Sequence, residues 1–198
     1  ECWIGDDAAV LDGGLLFATD ALVEGVHFDP VWCSGADVGW KALAVNLSDL
    51  AAMGGTPRAA VVALVAPRGR TGLADEVVAG VREAAAVFDC PIVGGDTSAG
   101  DALVVTVSVL GMAPRQGAVL RSGAKPDDAI FVTGQLGGAA AALRALQGTD
   151  ADGTAAGVGP SGLARLRRPT PRLKEGRTAA LAGATAMTLA ETTAYGIG

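Results

Sequence analysis

A long helix rich in alanine and leucine, set between two β-rich runs, constrains the fold of this chain most. The helix is predicted to run from Ser34 to about residue 53, and Gly54 ends it. Leu43, Leu47 and Leu50 recur at helical spacing and form an apolar stripe, which a globular protein buries against another layer. Because the flanking runs favour strands, the sequence predicts a mixed α/β fold.

The rest of the chain divides into shorter segments. Strands are predicted at residues 15–19, 59–66, 92–93, 103–110 and 129–133, and helices at 71–88, with Thr71 as the cap, and at 137–146. A boundary is expected near residues 115–128, so that residues 1–120 form an N-terminal domain and residues 121–198 an incomplete second α/β domain. The glycine-rich stretch 147–162 is expected to be a flexible loop.

Composition excludes two classes of function. A net charge of −6 argues against a nucleic-acid groove, although metal ions still allow a nucleotide to bind. The longest apolar run, residues 59–66, is far too short to span a bilayer. Cys2, Cys33 and Cys90 show no CxxC spacing, which indicates a reducing compartment. Since residues 1–5 show no signal-peptide pattern, the expected localisation is cytoplasmic, without a membrane or nucleic-acid partner.

Four aspartates stand out in the first half of the chain: Asp7, Asp20, Asp49 and Asp96. Each lies beside glycine, threonine or a small-residue helix, where a carboxylate is costly to bury unless a positive group meets it. A hard divalent cation is the simplest partner, and Mg²⁺ commonly binds together with phosphates. The sequence is therefore interpreted first as a metal-dependent nucleotide enzyme, on the hypothesis that these four side chains converge in space.

Ordinary structural explanations remain open for most of these motifs. Asp7 suits a turn, and Asp20 suits either a solvated strand end or the ligand-binding rim of a sheet. The segment Gly94–Asp96 is a common turn, but paired glycines also let a backbone approach a phosphate. For Asp49 a function is favoured, because the small residues around it leave little polar surface. The chain contains no GxxxxGK[ST] phosphate loop.

Two further residues and one basic run also have open interpretations. His27 is the only histidine and is either incidental or part of a site, but without nearby cysteine ligands it does not indicate zinc. Arg121 suits either a surface charge before a turn or a fork that clamps a phosphate. The basic run at residues 165–174, which contains two prolines, is predicted to be a solvated linker.

Taken together, these segments closely resemble the thiamine-monophosphate kinases, a family in the superfamily typified by aminoimidazole ribonucleotide synthetase. The matching segments are Gly5–Val10, Thr19–Phe28, Gly39–Gly54, Gly94–Thr97 and Leu120–Pro126. The resemblance spans about residues 4–146 and more faintly residues 166–176. The segment Val23–Phe28 and the long helix distinguish this family from its relatives.

The resemblance implies both a fold and a reaction. The N-terminal α/β domain is expected to bind metal and ATP and to form a homodimer through its sheet, with the nucleotide sites next to the dimer interface. The implied reaction is transfer of the γ-phosphoryl group of ATP to thiamine monophosphate, which gives thiamine diphosphate and ADP.

Individual residues take expected roles from the same resemblance. The Mg²⁺ ligands are expected to be Asp7, Thr19, Asp20, Asp49 and Asp96. The ATP contacts are expected to be Gly95, Asp96 and Arg121, and His27 is placed in the thiamine-phosphate site. Asp49, Asp96 and Arg121 form the expected catalytic group. Since the acceptor oxygen is already ionised, the chemistry requires charge neutralisation more than a strong base.

The chain departs from the family pattern at three places. Alanine stands at Ala99, where the family usually has arginine, and at Ala18, where serine or threonine is common. The segment Thr188–Thr192 does not fit the acidic Asp-x-Ser-Asp-Gly-Leu motif that the family has in this region. We interpret the chain as a partial or aberrant member, whose activity as an isolated chain is open.

Three hypotheses follow from these observations. The first is the N-terminal half of a kinase that retains its metal–nucleotide site. The second is a non-catalytic dimerisation module. The third is a superfamily relative acting on another acceptor, against which the segment Val23–Phe28 speaks.

Overall fold

A computed structural model of the chain describes residues 4–70, 72–148 and 160–188. In chain order, its elements are β1 (Ala9–Leu11), β2 (Leu15–Val23), α1 (Gly35–Ala52), β3 (Thr56–Pro67), α2 (Leu73–Phe88), β4 (Ile92–Gly100), β5 (Val104–Met112), α3 (Gly138–Gln147), α4 (Pro160–Arg167) and α5 (Leu173–Leu181). Short 3-10 turns also lie at Asp12–Gly14 and Arg121–Gly123. The mixed α/β class predicted from the sequence is confirmed.

The five strands form one sheet in the order β1-β2-β5-β3-β4. Only β3 and β4 are parallel, and α2 provides the crossover that such a pair requires. Side chains of β2 and β5 alternate between more and less buried positions, because α1 and α2 cover one side of the sheet. We call the other side the open face, since no helix of the described residues packs on it. It presents Phe17, Thr19, Val61, Ser108 and Leu110.

Helix α1 lies at the centre of the packing, against β2, β5, α2 and α5. It begins in a capping box, in which the Ser34 hydroxyl accepts from the backbone N–H of Asp37 at 3.2 Å and the Asp37 carboxylate accepts from the N–H of Ser34 at 3.3 Å. The predicted stripe of Leu43, Leu47 and Leu50 is fully buried. The helix therefore forms where the sequence pattern predicts it.

Two glycines bring α1 and α2 into direct backbone contact. A Cβ atom on Gly39 would lie 2.0 Å from the carbonyl oxygen of Val77, and a Cβ on Gly80 would lie 1.9 Å from that of Ala36. No side chain fits at these distances, so the crossing requires glycine on both helices. This contact fixes the position of α1, and therefore of every site residue on it.

The later part of the chain is attached to this layer through α1 and α2. Arg168 donates from Nε to Asp37 at 2.6 Å and from a terminal nitrogen to Glu83 at 2.9 Å. Its guanidinium also lies 5.4 Å from the ring centre of Trp40, whose Nε1 donates to the carbonyl of Pro169 at 2.9 Å. The prediction of a solvated linker at residues 165–174 is therefore wrong.

Other local predictions are also corrected. The paired glycines before Asp96 lie inside β4, whereas a short strand followed by a loop was expected. The predicted strand at residues 129–133 is not formed, and Ile130 and Phe131 are 92% and 90% exposed. This segment pairs with no strand of the described residues, so its backbone lacks the ladder that stabilises a strand.

The loop expected at 147–162 is shorter than predicted. Gln147 ends α3 and residues 160–162 begin α4, while residues 149–159 lie outside the described residues. Thr71, the predicted cap of the second helix, also lies outside them. Helix α2 instead begins after Gly72, which has a left-handed conformation with φ 89°. The proposed division at residue 120 stays a prediction.

Replacing Gly80 by alanine is expected to destabilise the chain by about 3 kcal/mol, because the new methyl group overpacks against the Ala36 carbonyl. Helix propensity alone predicts the opposite sign, a gain of about 1 kcal/mol. The control is Ala79→Gly at an exposed position of α2, which is expected to cost only that propensity term. Urea unfolding measures both, and a Gly80→Ala variant as stable as the unchanged chain would contradict the close contact.

Candidate functional site

Acidic residues and one arginine meet at the C-terminal end of α1. Residues 5–8 pass this end, where the Ala8 N–H donates to Sδ of Met53 at 3.0 Å. The backbone N–H of Arg121 donates to Asp6 at 2.9 Å, and its guanidinium bonds both carboxylate oxygens of Asp7, with Nε at 3.2 Å. We call Asp6, Asp7, Asp49 and Arg121 the acidic cluster.

Arg121 is the positive centre of this cluster. Its hydrogen bonds to Asp7 raise the pKa of the guanidinium, and the charges of Asp6 and Asp49 act in the same direction. The Asp7 side chain is only 2% exposed, whereas that of Arg121 is 50% exposed. A buried carboxylate is thus neutralised by a cation that remains accessible to solvent.

Asn46 places a second buried polar group on the same helix as Asp49. It is fully buried, and its side-chain amide donates to the carbonyl of Ala42 at 2.9 Å. Its Oδ1 accepts no hydrogen bond from the described residues. A buried acceptor of this kind requires a partner, such as an ordered water or a cation.

Asp20 and Thr19 follow each other on β2 but point to opposite faces of the sheet. Asp20 lies on the side that faces the helices, together with buried Ala18 and Leu22. Thr19 lies on the open face, where its hydroxyl donates to the Val107 carbonyl at 3.1 Å and is 2.9 Å from Oγ of Ser108. The two side chains therefore do not approach a single cation on the helix side.

Asp96 and Gly95 lie apart from the acidic cluster, on edge strand β4. The strand order puts β5 and β3 between β2 and β4, so Asp20 and Asp96 are separated by three strand spacings, about 14 Å. Asp96 is exposed and accepts from Ser98 Oγ at 3.1 Å. At Gly95 a Cβ atom would lie 2.0 Å from the Val62 carbonyl, so glycine is required there by strand contact.

The predicted ligand set is only partly assembled within one chain. Asp7 and Asp49 both act on Arg121, but among residues 4–70, 72–148 and 160–188 no three or more His, Cys, Asp or Glu side chains are close enough together to hold a metal ion. The hypothesis that all four aspartates converge within one chain is therefore wrong for Asp96. The roles assigned to Asp7, Thr19, Asp20, Asp49, Asp96 and Arg121 stay predictions.

His27 lies in a tight turn after β2, and its ring accepts a hydrogen bond at Nδ1 from the Val23 N–H at 3.0 Å. Burial lowers the pKa of this imidazole, the charge of Lys41 lowers it further, and Asp20 opposes both. Asp20 and His27 are thus electrostatically coupled on the helix-facing side of β2. The structure places the predicted substrate residue near a predicted metal ligand.

Sequence reasoning missed Lys41, the buried lysine of α1. It is 3% exposed, and its Nζ donates to the carbonyl oxygen of His27 at 3.2 Å. A single lysine within a helix that is apolar almost all round is a detectable signal, because a buried ammonium requires a specific acceptor.

Space for a ligand exists beside the turn that contains Arg121. A cavity of about 330 Å³ is lined by residues 116–120, Ser122, Gly123 and the end of α5 through Thr185. Its volume lies at the lower end of the range for small-molecule sites. None of the helices in the described part of the chain is both long and apolar enough to cross a membrane.

Comparison with known proteins adds a family and several relatives. The family model for the AIR synthase related protein, N-terminal domain, matches residues 5–113. The thiamine-monophosphate kinase of Bacillus subtilis (strain 168) is 42% identical over 182 residues, which are 88% of this chain and 55% of that protein. The chain thus spans about half the length of the curated relatives that it matches.

Solved structures agree with these sequence matches. Thiamine monophosphate kinase from Aquifex aeolicus superposes with a TM-score of 0.78 at 32% identity, over 87% of this chain and 57% of that chain. The structure of AaThiL complexed with AMPPCP and TMP gives a TM-score of 0.79 at 33% identity, over 89% of this chain and 57% of that one.

Removing the charge of Arg121 is expected to destabilise the fold, because the buried carboxylate of Asp7 loses its cation. For Arg121→Met we expect a loss of about 1–3 kcal/mol in the free energy of unfolding. Arg115→Met is the matched control, since Arg115 is exposed and forms no ion pair among the described residues, and it is expected to change stability by less than about 0.5 kcal/mol. Equal urea midpoints for the two variants would count against this pairing.

Proposed function

The chain belongs to the AIR synthase related family, and from this premise we propose that it forms the N-terminal part of a kinase that uses ATP to phosphorylate thiamine monophosphate to thiamine diphosphate. The observation that supports this most is the acidic cluster at the end of α1, in a fold that superposes on AaThiL complexed with AMPPCP and TMP. The identity of 42% to a thiamine-monophosphate kinase supports the same substrate.

The donor groups of the acidic cluster suit a hard divalent cation. Asp7 and Asp49 supply carboxylate oxygens, the ligands that Mg²⁺ prefers, and Asp20 faces the same side of the sheet. The Oδ1 of Asn46, which accepts no hydrogen bond from the described residues, indicates that this region of α1 can meet a further polar partner. We therefore propose that Asp7 and Asp49 supply oxygens to Mg²⁺, with nucleotide phosphates and water as its further ligands, because the described residues bring no third acidic side chain close enough to them.

The proposed reaction does not require a strong general base. The acceptor oxygen of a phosphate monoester is already ionised near neutral pH, so the main barrier is repulsion between two anions. Arg121 is suited to reduce this repulsion, because half of its side chain is exposed and its guanidinium can bond two oxygens of one anion. In this role it exchanges Asp7 for a phosphate, and Asp7 is released to bind the cation.

A second copy of the chain is proposed to cover the open face. Phe17, Val61 and Leu110 are 40%, 43% and 36% exposed there, and they give the sheet an apolar surface on the side without helices. Asp96 and Gly95 lie about 14 Å from Asp20 across the sheet, too far for a shared cation within one chain. We propose that these residues contact the nucleotide bound by the partner copy.

A reducing, cytoplasmic location fits this proposal. Cys33 and Cys90 are both buried as free thiols. Burial raises the pKa of the Cys90 thiol to about 11, so the reactive thiolate is disfavoured. Neither cysteine is placed for a disulfide or for catalysis.

A second candidate, a non-catalytic nucleotide-binding and dimerisation module, is favoured by a different observation. After residue 123, the regular elements of the described residues are helices without a strand, and the segment Ile130–Val132 is exposed. A coupled assay for thiamine diphosphate separates the two candidates. Product formation supports the kinase, whereas dimers that bind nucleotide without forming product support the module.

Binding of ATP in millimolar Mg²⁺ tests the proposed site directly. Isothermal titration is expected to detect binding to the unchanged chain, and Asp49→Ala is expected to weaken it at least tenfold, about 1.4 kcal/mol. The exposed Asp101→Ala, in the loop between β4 and β5, is the matched control and is expected to bind like the unchanged chain. No measurable affinity in the unchanged chain would refute nucleotide binding by this chain.

A charge on the open face is expected to break the proposed dimer. For Val61→Lys, sedimentation velocity is expected to show a monomer, because the lysine is desolvated at the centre of an apolar interface. Val87→Lys provides the control, since Val87 is 62% exposed on α2, away from the sheet. If Val61→Lys sediments as a dimer, the second copy does not bind the open face.

A further inference from the structure

We propose that Asn46 binds, through its Oδ1, a water molecule in the hydration shell of the divalent cation held by the acidic cluster. Asn46 is a positioning residue in this role, because it acts on the cation through that water. The presence of the cation rests on the proposed function, whereas the effect of Asn46 on the stability of the chain does not.

A hydrogen bond within α1 fixes the orientation of the Asn46 amide. The Ala42 carbonyl can only accept, so the side-chain atom that lies 2.9 Å from it must be the NH₂ group. Oδ1 therefore points away from this carbonyl, and it accepts no hydrogen bond from the described residues. The side chain is 0% exposed, so bulk solvent does not reach it. A buried acceptor of this kind requires a partner that the fold itself does not supply.

Asn46 belongs to a stripe of α1 that leads to the acidic cluster. Asp49 follows it by three residues and Met53 by seven, spacings that place side chains on one side of a helix. The Ala8 N–H donates to Sδ of Met53 at 3.0 Å, so the segment that contains Asp7 passes the end of this stripe. Asn46 thus lies on the same side of α1 as the proposed cation ligands.

A water molecule bound to the cation is the partner that suits Oδ1. Mg²⁺ gives up its water reluctantly and usually keeps several water ligands in a protein site. Each of these waters directs its hydrogens outward, and an amide oxygen accepts one of them without adding charge. Hydrogen-bond partners of this outer kind orient the ligands of a metal, and their loss weakens metal binding.

Entry of this water is linked to the exchange proposed for Arg121. The guanidinium bonds Asp7, and the charge of Asp49 also acts on it, so the ion pair occupies the region next to the stripe. When Arg121 moves to a phosphate, this region becomes available to the cation and its waters. Oδ1 of Asn46 then gains a donor at the step in which Asp7 gains the cation.

Urea unfolding without metal or nucleotide tests whether Oδ1 lacks a partner in the fold. For Asn46→Ala, the midpoint is expected to equal or exceed that of the unchanged chain, because a desolvated acceptor is removed. Truncation of a buried side chain whose hydrogen bonds are all formed lowers the midpoint instead. A clearly lower midpoint for Asn46→Ala would therefore overturn the inference.

The requirement for Mg²⁺ tests the role of Asn46 at the cation. In isothermal titrations with ATP at a series of Mg²⁺ concentrations, Asn46→Ala is expected to need about ten times more free Mg²⁺ for half-maximal binding. Ser48→Ala is the matched control, since the Ser48 hydroxyl likewise donates to a carbonyl one turn earlier, that of Ala44 at 2.9 Å. It is expected to need the same Mg²⁺ as the unchanged chain. An unchanged requirement in Asn46→Ala overturns the inference.

Asn46→Asp separates the acceptor from the amide. It keeps an oxygen at this position and buries a charge, so we expect nearly the original Mg²⁺ requirement and a lower urea midpoint without metal. This pattern is the reverse of that expected for Asn46→Ala. If both variants raise the Mg²⁺ requirement equally, the acceptor oxygen is not what matters, and the inference is overturned.

Mn²⁺ alone separates this inference from the proposed function, because its binding can be followed by electron paramagnetic resonance without a nucleotide. If the chain binds Mn²⁺, and Asn46→Ala binds it about tenfold more weakly, the role of Asn46 stands even where ATP does not bind and the kinase proposal fails. If ATP binds with the same Mg²⁺ requirement in both chains, only the role of Asn46 fails. A chain that binds neither Mn²⁺ nor ATP overturns both.

Discussion

The burial of α1 is the constraint on which the rest of the structure depends. The helix lies between the sheet, α2 and α5, and the glycine contact with α2 leaves no room for it to shift. Because its leucine stripe fixes its rotation, the polar residues at the other helical positions are fixed too. Lys41 then reaches the turn after β2, and the charge of Asp49 acts on Arg121. The packing of α1 thus sets the position of Lys41 at one end of the candidate site and that of Asp49 at the other.

Sequence patterns predicted the elements whose apolar residues recur at a regular spacing and become buried. They failed for segments whose conformation is determined by contacts with residues far away in the sequence. The limits of α1 follow from its capping residue and terminal glycine, which are local signals. The extended course of β4 through Gly94 and Gly95 depends on pairing with β3, which local turn preferences oppose. Arg168 looked like part of a linker, because nothing in its neighbourhood reveals Asp37 and Glu83 as partners.

The candidate site was predictable in its residue types and only partly in its geometry. Aspartates in apolar surroundings predicted a positively charged partner such as a metal ion, and the partner present at Asp7 is Arg121. Neighbouring residues in a strand point to opposite faces, so Thr19 cannot follow Asp20 to the same side through its side chain. Strand order, which the sequence does not reveal, separates Asp96 from the other aspartates.

The separation of Asp96 also changes how the kinase proposal must be understood. A site that needs all four carboxylates in one chain is inconsistent with the sheet, but a sheet with an apolar open face and an exposed edge strand is suited to a second copy. Arg121 makes the cluster stable before any ligand arrives, since it supplies the positive charge that Asp7 requires. The same ion pair would then compete with the cation for Asp7, so ligand binding and rearrangement of Arg121 become a single coupled event.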